Sequence, residues 1–399
     1  MEAILAAVDE LEDELVTLLQ RLIRIPTVNP PGEAYEDFVA AFKAVLDELG
    51  YATEVHRAPP ELAPLGEGLP RPNLLARLPG DGPRVHLNGH YDVVPVGNDW
   101  TRDPFGGELA DGHVYGRGAA DMKSGLAAQV IAVEALHRAG LKPNVVQSAV
   151  PDEETVGVRN AGMGFLVEQG LLEGDAVIIT EPFGPDGVGI GHKGAIWGEI
   201  TIFGKQAHGS APQLGENAVE AMARYLATLD RELRPKLETR ITDYGVTPDN
   251  RRSTLSFDTI RGGHATNIVP DRCTVTFNRR LIPGEDLDAA RRELLAPLDG
   301  VRHSYHELYS TQPTLVGEDE PVVQAAQRAL RALGLTPRIL ISAGSDDQRF
   351  VVHNAGITNS LVYGPGQTGL SHVADERISV ADLVLGTKGL ALIIAELMS

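Results

Sequence analysis

Short apolar runs alternate with glycine-rich turns and with helical patterns over most of the chain. Buried strands are predicted at residues 84–87, 145–150, 176–179, 339–341 and 361–363. Between them, residues 122–139 have apolar positions at helical spacing, and Gly140 ends that pattern. Strands that alternate with helices predict an α/β fold, in which helices cover both faces of the sheet as an αβα sandwich.

The pattern changes between about residues 194 and 307. The predicted order there is a strand at 196–203, a helix at 217–233, strands at 254–260 and 273–278, a helix at 287–295 and a strand at 301–306. This βαββαβ order is typical of a ferredoxin-like α+β domain. We therefore predict a catalytic domain split into residues 1–192 and 311–399, with a smaller lid domain inserted at residues 193–310.

The N-terminal region has two further patterns. Residues 1–25 predict one amphipathic helix that Pro26 ends, because leucine and valine recur at helical spacing. The run at 59–72 is rich in proline and glycine, which predicts a loop.

Composition narrows the class of protein. Of 399 residues 43% are hydrophobic, which is too many for a disordered chain, and a net charge of −20 makes nucleic acid or anionic membrane an unfavourable partner. The first residues are acidic rather than basic, and no apolar run could span a membrane, so we expect a cytoplasmic enzyme.

Cys273 is the only cysteine, so no internal disulfide can form, and we expect it to pack in a strand.

Five residues of metal-ligand type follow predicted strands or lie in the turns after them. They are His90, Asp121, Glu154, Glu181 and His372. A two-metal site needs one bridging carboxylate, plus one histidine and one carboxylate for each ion. Because α/β sheets place their ligands at the carboxyl ends of strands, the shared position of these residues predicts one site.

Plainer interpretations of these residues remain open. His90 alone could be a solvated loop histidine, but Asp92 can accept its second ring proton and fix its orientation. Asp121 could be the N-cap of the following helix. The acidic segment with Glu153 and Glu154 could be an exposed turn, although buried carboxylates at this spacing need cations. If Glu154 binds metal, Glu153 is left as a general base.

Other catalytic signatures are not supported. Gly189, Gly191 and Gly194 match G-x-G-x-x-G, but a strand rather than a helix is predicted next, so we expect no dinucleotide site. The chain contains no Walker motif and no G-x-S-x-G motif.

Six sequence motifs are spread over nearly the whole length of the chain: RIPTVNPPGE, GHYDVVP, WTRDPFGGELADGHVYGRGAADMKSG, DEE, TEP and GLSHVADE. Through these motifs the chain resembles the dizinc hydrolase family of acetylornithine deacetylase, succinyl-diaminopimelate desuccinylase, aminoacylase and glutamate carboxypeptidase. The resemblance implies that His90 and Glu181 complete one metal site. It implies that Glu154 and His372 complete the other, with Asp121 as the bridge.

Further roles follow from the same resemblance. It implies that Glu153 is the catalytic base, that Asp92 orients His90, and that the peptide bond after Asp121 is cis. A glutamate at the position of Glu181 resembles the deacylase and carboxypeptidase members, whereas aminopeptidases and dipeptidases tend to carry aspartate there.

Residues of the predicted lid also match. His208 resembles the family histidine that reaches the partner subunit's active site and polarises the scissile carbonyl. Asn267 and Arg280 resemble the residues that hold the substrate carboxylate, together with the turn that contains Gly366. As plainer alternatives, His208 is a loop histidine and Arg280 belongs to a surface ion pair.

Two departures from the family pattern bear on substrate identity. Asn278 stands where many relatives have aspartate, and the SDDQRF segment matches the usual Asp-x-Arg pattern only at Asp347 and Arg349.

The resemblance implies a homodimeric deacylase that releases an acyl group from an N-acyl amino acid. It implies two divalent metal ions per chain, zinc above all, with cobalt or manganese as alternatives. A carboxypeptidase or dipeptidase of the same family is an open alternative. A non-catalytic, metal-stabilised binding protein is another, although no metal requires Glu153.

Overall fold

The structure is a computed structural model, and it describes residues 1–155, 160–245 and 247–398. The helices in this part of the chain are α1 (Glu2–Glu10), α2 (Glu12–Ile23), α3 (Tyr35–Glu48), α4 (Lys123–Arg138), α5 (Met163–Glu168), α6 (Ala218–Glu232), α7 (Arg234–Thr239), α8 (Leu287–Leu295), α9 (Pro321–Ala332) and α10 (Val380–Leu397). The strands are β1 (Ala52–Ala58), β2 (Arg71–Leu78), β3 (Asp81–His90), β4 (Glu108–Ala110), β5 (His113–Tyr115), β6 (Pro143–Val150), β7 (Ala176–Pro182), β8 (Gly187–His192), β9 (Gly194–Phe203), β10 (Thr254–Gly262), β11 (Arg272–Leu281), β12 (His303–Thr311), β13 (Thr314–Leu315), β14 (Arg338–Ser342), β15 (Ser360–Gly364) and β16 (Arg377–Ser379).

The chain forms two compact units. The first unit consists of Met1–Gly191, Val316–Leu340 and Asp346–Ser399, and the second unit consists of His192–Leu315 and Ile341–Ser345. The second unit thus also takes in residues 311–315 and 341–345, which the sequence analysis placed in the first domain. The physical reason at the later segment is a hydrogen bond of 2.9 Å, which the Lys193 N–H donates to the Ser342 carbonyl within the second unit.

A large mixed sheet organises the first unit. Its strand order is β1-β2-β6-β3-β7-β15-β8. Strands β6, β3, β7 and β15 are adjacent and parallel, so their carboxyl ends meet along one edge of the sheet. This edge is where the sequence predicts the site.

Helix α4 packs against the strands of this sheet. A Cβ atom at Gly125 would lie 2.1 Å from the Thr180 carbonyl oxygen, so only glycine lets α4 approach β7 this closely. Thr180 immediately precedes Glu181, and the close packing therefore fixes the backbone next to a predicted ligand.

The N-terminal prediction of one helix over residues 1–25 is wrong. The helical path bends at Leu11, which has φ −98° and ψ 9° and is almost fully buried. The resulting helices α1 and α2 both pack against α4. The spacing of apolar residues predicts a helix, but the packing of α1 and α2 on α4 decides where the backbone bends.

The second unit has the predicted ferredoxin-like arrangement. Chain order β9-α6-α7-β10-β11-α8-β12 gives a sheet with the order β10-β11-β9-β12, in which every neighbouring pair is antiparallel. The helices α6 and α8 pack their apolar faces on this sheet, and Cys273 is buried in that core, as expected. None of the helices in the described residues is long and apolar enough to cross a membrane.

Candidate metal centre

The predicted ligands come together at the carboxyl edge of the four parallel strands. His90 is the last residue of β3, Glu181 lies near the end of β7, Glu154 follows β6, and His372 lies in the turns after β15. Asp121 comes from the turn before α4. Ligand atoms of His90, Asp121 and Glu154 lie within 4.8 Å of one another.

The two oxygens of the Asp121 carboxylate face two different pairs of side chains. Oδ1 lies 3.1 Å from Nε2 of His90, and the same nitrogen is 3.3 Å from Oε1 of Glu181. Oδ2 lies 3.5 Å from Nε2 of His372, and that nitrogen is 3.0 Å from Oε1 of Glu154. Each pair contains one histidine and one carboxylate, and Asp121 is common to both.

Burial makes this arrangement unfavourable without positive charge. Burial, and then the charge of Asp121, raise the pKa of the Glu181 carboxyl to about 8. Burial also raises the pKa values of Glu153 and Glu154. Carboxylate oxygens and imidazole nitrogens are the donors that divalent ions such as zinc prefer, so the residues present fit a pair of cations.

Two of the plainer interpretations are wrong. His90 is only 1% exposed, so it is not a solvated loop histidine. Helix α4 begins at Lys123 with Met122 at the cap position and without a side-chain cap, so Asp121 is not its N-cap. The peptide bond between Asp121 and Met122 is cis, as the resemblance implied.

Asp92 contacts His90 differently from what was predicted. The Nδ1 atom of His90 is 2.9 Å from the backbone carbonyl of Asp92 and 3.5 Å from its carboxylate, so the carbonyl is the nearer acceptor. The carboxylate instead accepts the backbone N–H groups of Glu153 and Glu154, both at 3.2 Å. Asp92 therefore orients one predicted ligand through its backbone and the acidic turn through its side chain.

A buried polar group behind this turn was missed by the sequence analysis. Asp152 has φ 63°, and its carboxylate accepts hydrogen bonds from Arg71 Nε at 2.8 Å and from Asn29 Nδ2 at 3.0 Å. Asn29 also donates to Asp92 at 2.8 Å. Arg71 is 1% exposed and lies within the run predicted as a loop, but β2 begins at this residue. The motifs that contain Asn29 and Asp152 were recognised, but nothing in them indicates that Arg71 pairs with Asp152.

Two other predicted residues lie beside the centre. A Cβ atom at Gly366, which has φ +92°, would be 3.2 Å from the Ala120 carbonyl oxygen, next to Asp121. Asp347 is buried and accepts a hydrogen bond of 3.2 Å from Asn88. Burial and the charge of Glu181 are the main causes that raise the pKa of the Glu153 carboxyl, and the charge of Asp347 raises it further.

The predicted lid residues lie in the second unit. His208 is exposed, and its Nδ1 is 2.7 Å from the Ser210 hydroxyl. The carbonyl of Asn267 accepts the Gly209 N–H at 2.7 Å, so Asn267 and the loop of His208 are neighbours. Arg280 is half-buried on β11.

The surroundings of Arg280 do not match the surface ion-pair interpretation. Its guanidinium lies over the Trp197 ring, 5.3 Å from the ring centroid. Burial lowers the pKa of the Arg280 guanidinium, and no carboxylate among the described residues pairs with it.

Comparison with known proteins gives one consistent result. The sequence profile of peptidase family M20/M25/M40 matches residues 86–396. A protein of Rhodospirillum centenum named succinyl-diaminopimelate desuccinylase is 33% identical over 387 residues, which cover 92% of this chain and 93% of that protein. A protein of the same name from Methylobacterium radiotolerans is 33% identical over 390 residues, with 93% of each chain covered. Among solved structures, an M20 metallo-carboxypeptidase from Sulfolobus solfataricus superposes with a TM-score of 0.74 at 19% identity, covering 96% of this chain and 99% of that chain.

The buried pair of Arg71 and Asp152 generates a stability prediction. Replacement of Arg71 by methionine leaves the Asp152 carboxylate buried without its cation, so we expect the free energy of unfolding to fall by about 3–5 kcal/mol. Urea unfolding of the metal-free protein measures this loss. The matched control is Arg57→Met, because Arg57 pairs with Glu36 at an exposed position and should cost at most about 1 kcal/mol. Equal losses in the two variants would contradict the prediction.

Proposed function

Because the chain belongs to peptidase family M20/M25/M40 and is a metal-dependent hydrolase of amide bonds, we propose that it removes the acyl group from an N-acyl amino acid. The observation that carries the proposal is the position of Asp121, whose two oxygens each face a separate histidine–carboxylate pair. His90 and Glu181 would hold one ion, Glu154 and His372 the other, and Asp121 both. Zinc is the metal we expect, since the donor set consists of imidazole and carboxylate.

Bound divalent ions lower the pKa of a water molecule and polarise a carbonyl group. The chain supplies the proton transfer, for which we assign Glu153. One carboxylate oxygen of Glu153 lies within 4.8 Å of a ligand atom of His90 and of Glu181. Neither of the two proposed metal sites requires Glu153 as a ligand. Asp92 holds the Glu153 backbone in place. Glu153 takes a proton from the attacking water and then protonates the leaving amine, and His208 stabilises the oxyanion.

The proposed substrate carries a free carboxylate. A planar guanidinium can bind a carboxylate with two parallel hydrogen bonds, and Arg280 is half-buried without a carboxylate partner among the described residues. Asn267 and the Gly366 turn would add further donors. The relatives named succinyl-diaminopimelate desuccinylase favour a deacylase over a carboxypeptidase or a dipeptidase.

A homodimer is the proposed assembly. Strand β10 is at an edge of the second unit's sheet, and most of its residues are exposed, including Ile260 at 57%. Such an edge has unpaired backbone groups that can pair with a second copy of the chain. The exposed His208 would then act in the partner's active site.

We expect the wild-type protein to bind about two divalent ions per chain, and to lose activity on chelation until zinc or cobalt is restored.

The adjacent residues Glu153 and Glu154 should respond differently to substitution. Glu153→Ala should keep both ions but lose about 100- to 10,000-fold in kcat, because it removes the proton carrier. Glu154→Ala should lose metal affinity. Metal analysis and kinetics measure the two effects, and the reverse pattern would exchange the two roles.

Arg280 should determine recognition of the substrate carboxylate. Arg280→Lys should cost about 2–5 kcal/mol in kcat/KM, because lysine cannot offer the planar pair of donors. The matched control is Arg272→Lys, an exposed position on the same strand, for which we expect no loss. Methyl esters of N-acyl amino acids should be poor substrates of the wild-type enzyme. Equal turnover of acids and esters would favour an aminopeptidase-like function instead.

The proposed dimer gives a complementation test. Chains with His208→Ala and chains with Glu153→Ala should both be nearly inactive alone. After subunit exchange, mixed dimers contain one site with Glu153 and the partner's His208 intact, so activity should return. Size measurement in solution accompanies the test. A fully active monomer would contradict both the dimer and the role of His208.

A further inference from the structure

A buried carboxylate outside the proposed ligand set connects two of the segments that carry ligands. Glu376 is 0% exposed, and its Oε1 atom accepts the backbone N–H groups of Gly118, Ala120 and Asp121 at 3.0, 2.9 and 3.1 Å. Its Oε2 atom accepts a hydrogen bond of 2.6 Å from Arg117. Both oxygens are therefore engaged, which leaves Glu376 unavailable as a metal ligand.

The connection runs between two turns that are far apart in sequence. Glu376 lies four residues after His372, and its three backbone donors end at Asp121. The Gly116 N–H also donates to the Glu376 carbonyl at 2.9 Å. Directly after Glu376, β16 pairs with β5, which leads into the turn of Asp121. Glu376 thus lies at one end of the small sheet that contains β5 and β16. The segment of His372 leads into this sheet there, and the segment of Asp121 leads out of it.

The turn of His372 needs such an anchor. His372 has φ 61°, a backbone conformation that L residues rarely adopt, and its side chain is 49% exposed. Packing alone therefore does little to hold its imidazole opposite Asp121 and Glu154. The Asp375 carboxylate accepts hydrogen bonds from the backbone N–H of Thr101 at 2.9 Å and from its hydroxyl at 2.6 Å, so it anchors the turn of His372 to a different segment.

We propose that Glu376 is a positioning residue, which sets the distance between the Asp121 carboxylate and His372 and thereby the metal affinity of the site that they form with Glu154. The inference rests on the proposed two-metal centre. Three N–H groups that converge on one oxygen fix the backbone from which the Asp121 side chain projects. The partner of Asp121 at this site, His372, is on the same segment as Glu376. The other site takes His90 and Glu181 from the ends of β3 and β7 and depends less on Glu376.

The test is metal binding measured directly. Metal-free protein is titrated with Zn²⁺ in a calorimeter, and cobalt absorption spectra report the coordination of each site. In Glu376→Gln we expect one of the two ions to bind with unchanged affinity and the other to bind about 10- to 100-fold more weakly, in the range seen when a group that orients a ligand is removed. Glu376→Asp, which keeps the charge but withdraws it from the three N–H groups, should show the same selective loss and serves if Glu376→Gln does not fold.

The matched control is Glu173→Gln. Glu173 also pairs with arginine, at 2.7 Å from Arg77 and 2.9 Å from Arg84, but it precedes β7 at the opposite end of the strand from Glu181. This variant should bind both ions as the wild type does. If the folded Glu376 variants bind both ions with wild-type affinity, the inference is wrong. A weakening of both ions that Glu173→Gln reproduces would also overturn it. A wild-type protein that binds fewer than two ions would instead contradict the proposed function.

Discussion

Carboxylates that are buried close together repel one another, and the first unit is built around such a group. At its centre, Asp121, Glu154 and Glu181 lie close to His90 and His372, and no lysine or arginine of the described residues pairs with them, which fits them for divalent cations. Around them lie carboxylates that the chain neutralises itself. Asp152 has Arg71, Glu376 has Arg117, and Asp92 has backbone N–H groups and Asn29. These outer carboxylates have partners within the chain, whereas the inner ones are the proposed ligands of the metal ions.

The outer carboxylates also define the geometry of the inner ones. Asp92 fixes the backbone of Glu153 and Glu154, so the proposed base and the proposed ligand can have different roles although they are adjacent in sequence. Each of these contacts joins segments that are distant in the chain. The position of a proposed ligand atom therefore depends on the buried residues that hydrogen-bond the backbone beside it, and less on the loop that carries the ligand.

The sequence predicted much of this fold because its periodic patterns are local. The βαββαβ order of the second unit and the strands that precede His90, Glu154 and Glu181 follow from the spacing of apolar residues. The bend at Leu11 could not be predicted, since it depends on α4, more than a hundred residues away. The roles of Arg71 and Glu376 were missed for a related reason. A buried ion pair has no signature in sequence until both partners are placed, and here they are separated by 81 and 259 residues.

The position of β15 has a consequence for the synthesis of the protein. β7 and β8 are close in sequence, but they do not pair with each other, because β15 lies between them and pairs with both. After β8, the ribosome must add about 170 residues before β15 is complete, and these residues include nearly the whole second unit. Until then the nascent chain has two apolar strand edges open, and such edges can pair with other chains. The sheet of the first unit can therefore close only after the second unit has been synthesised.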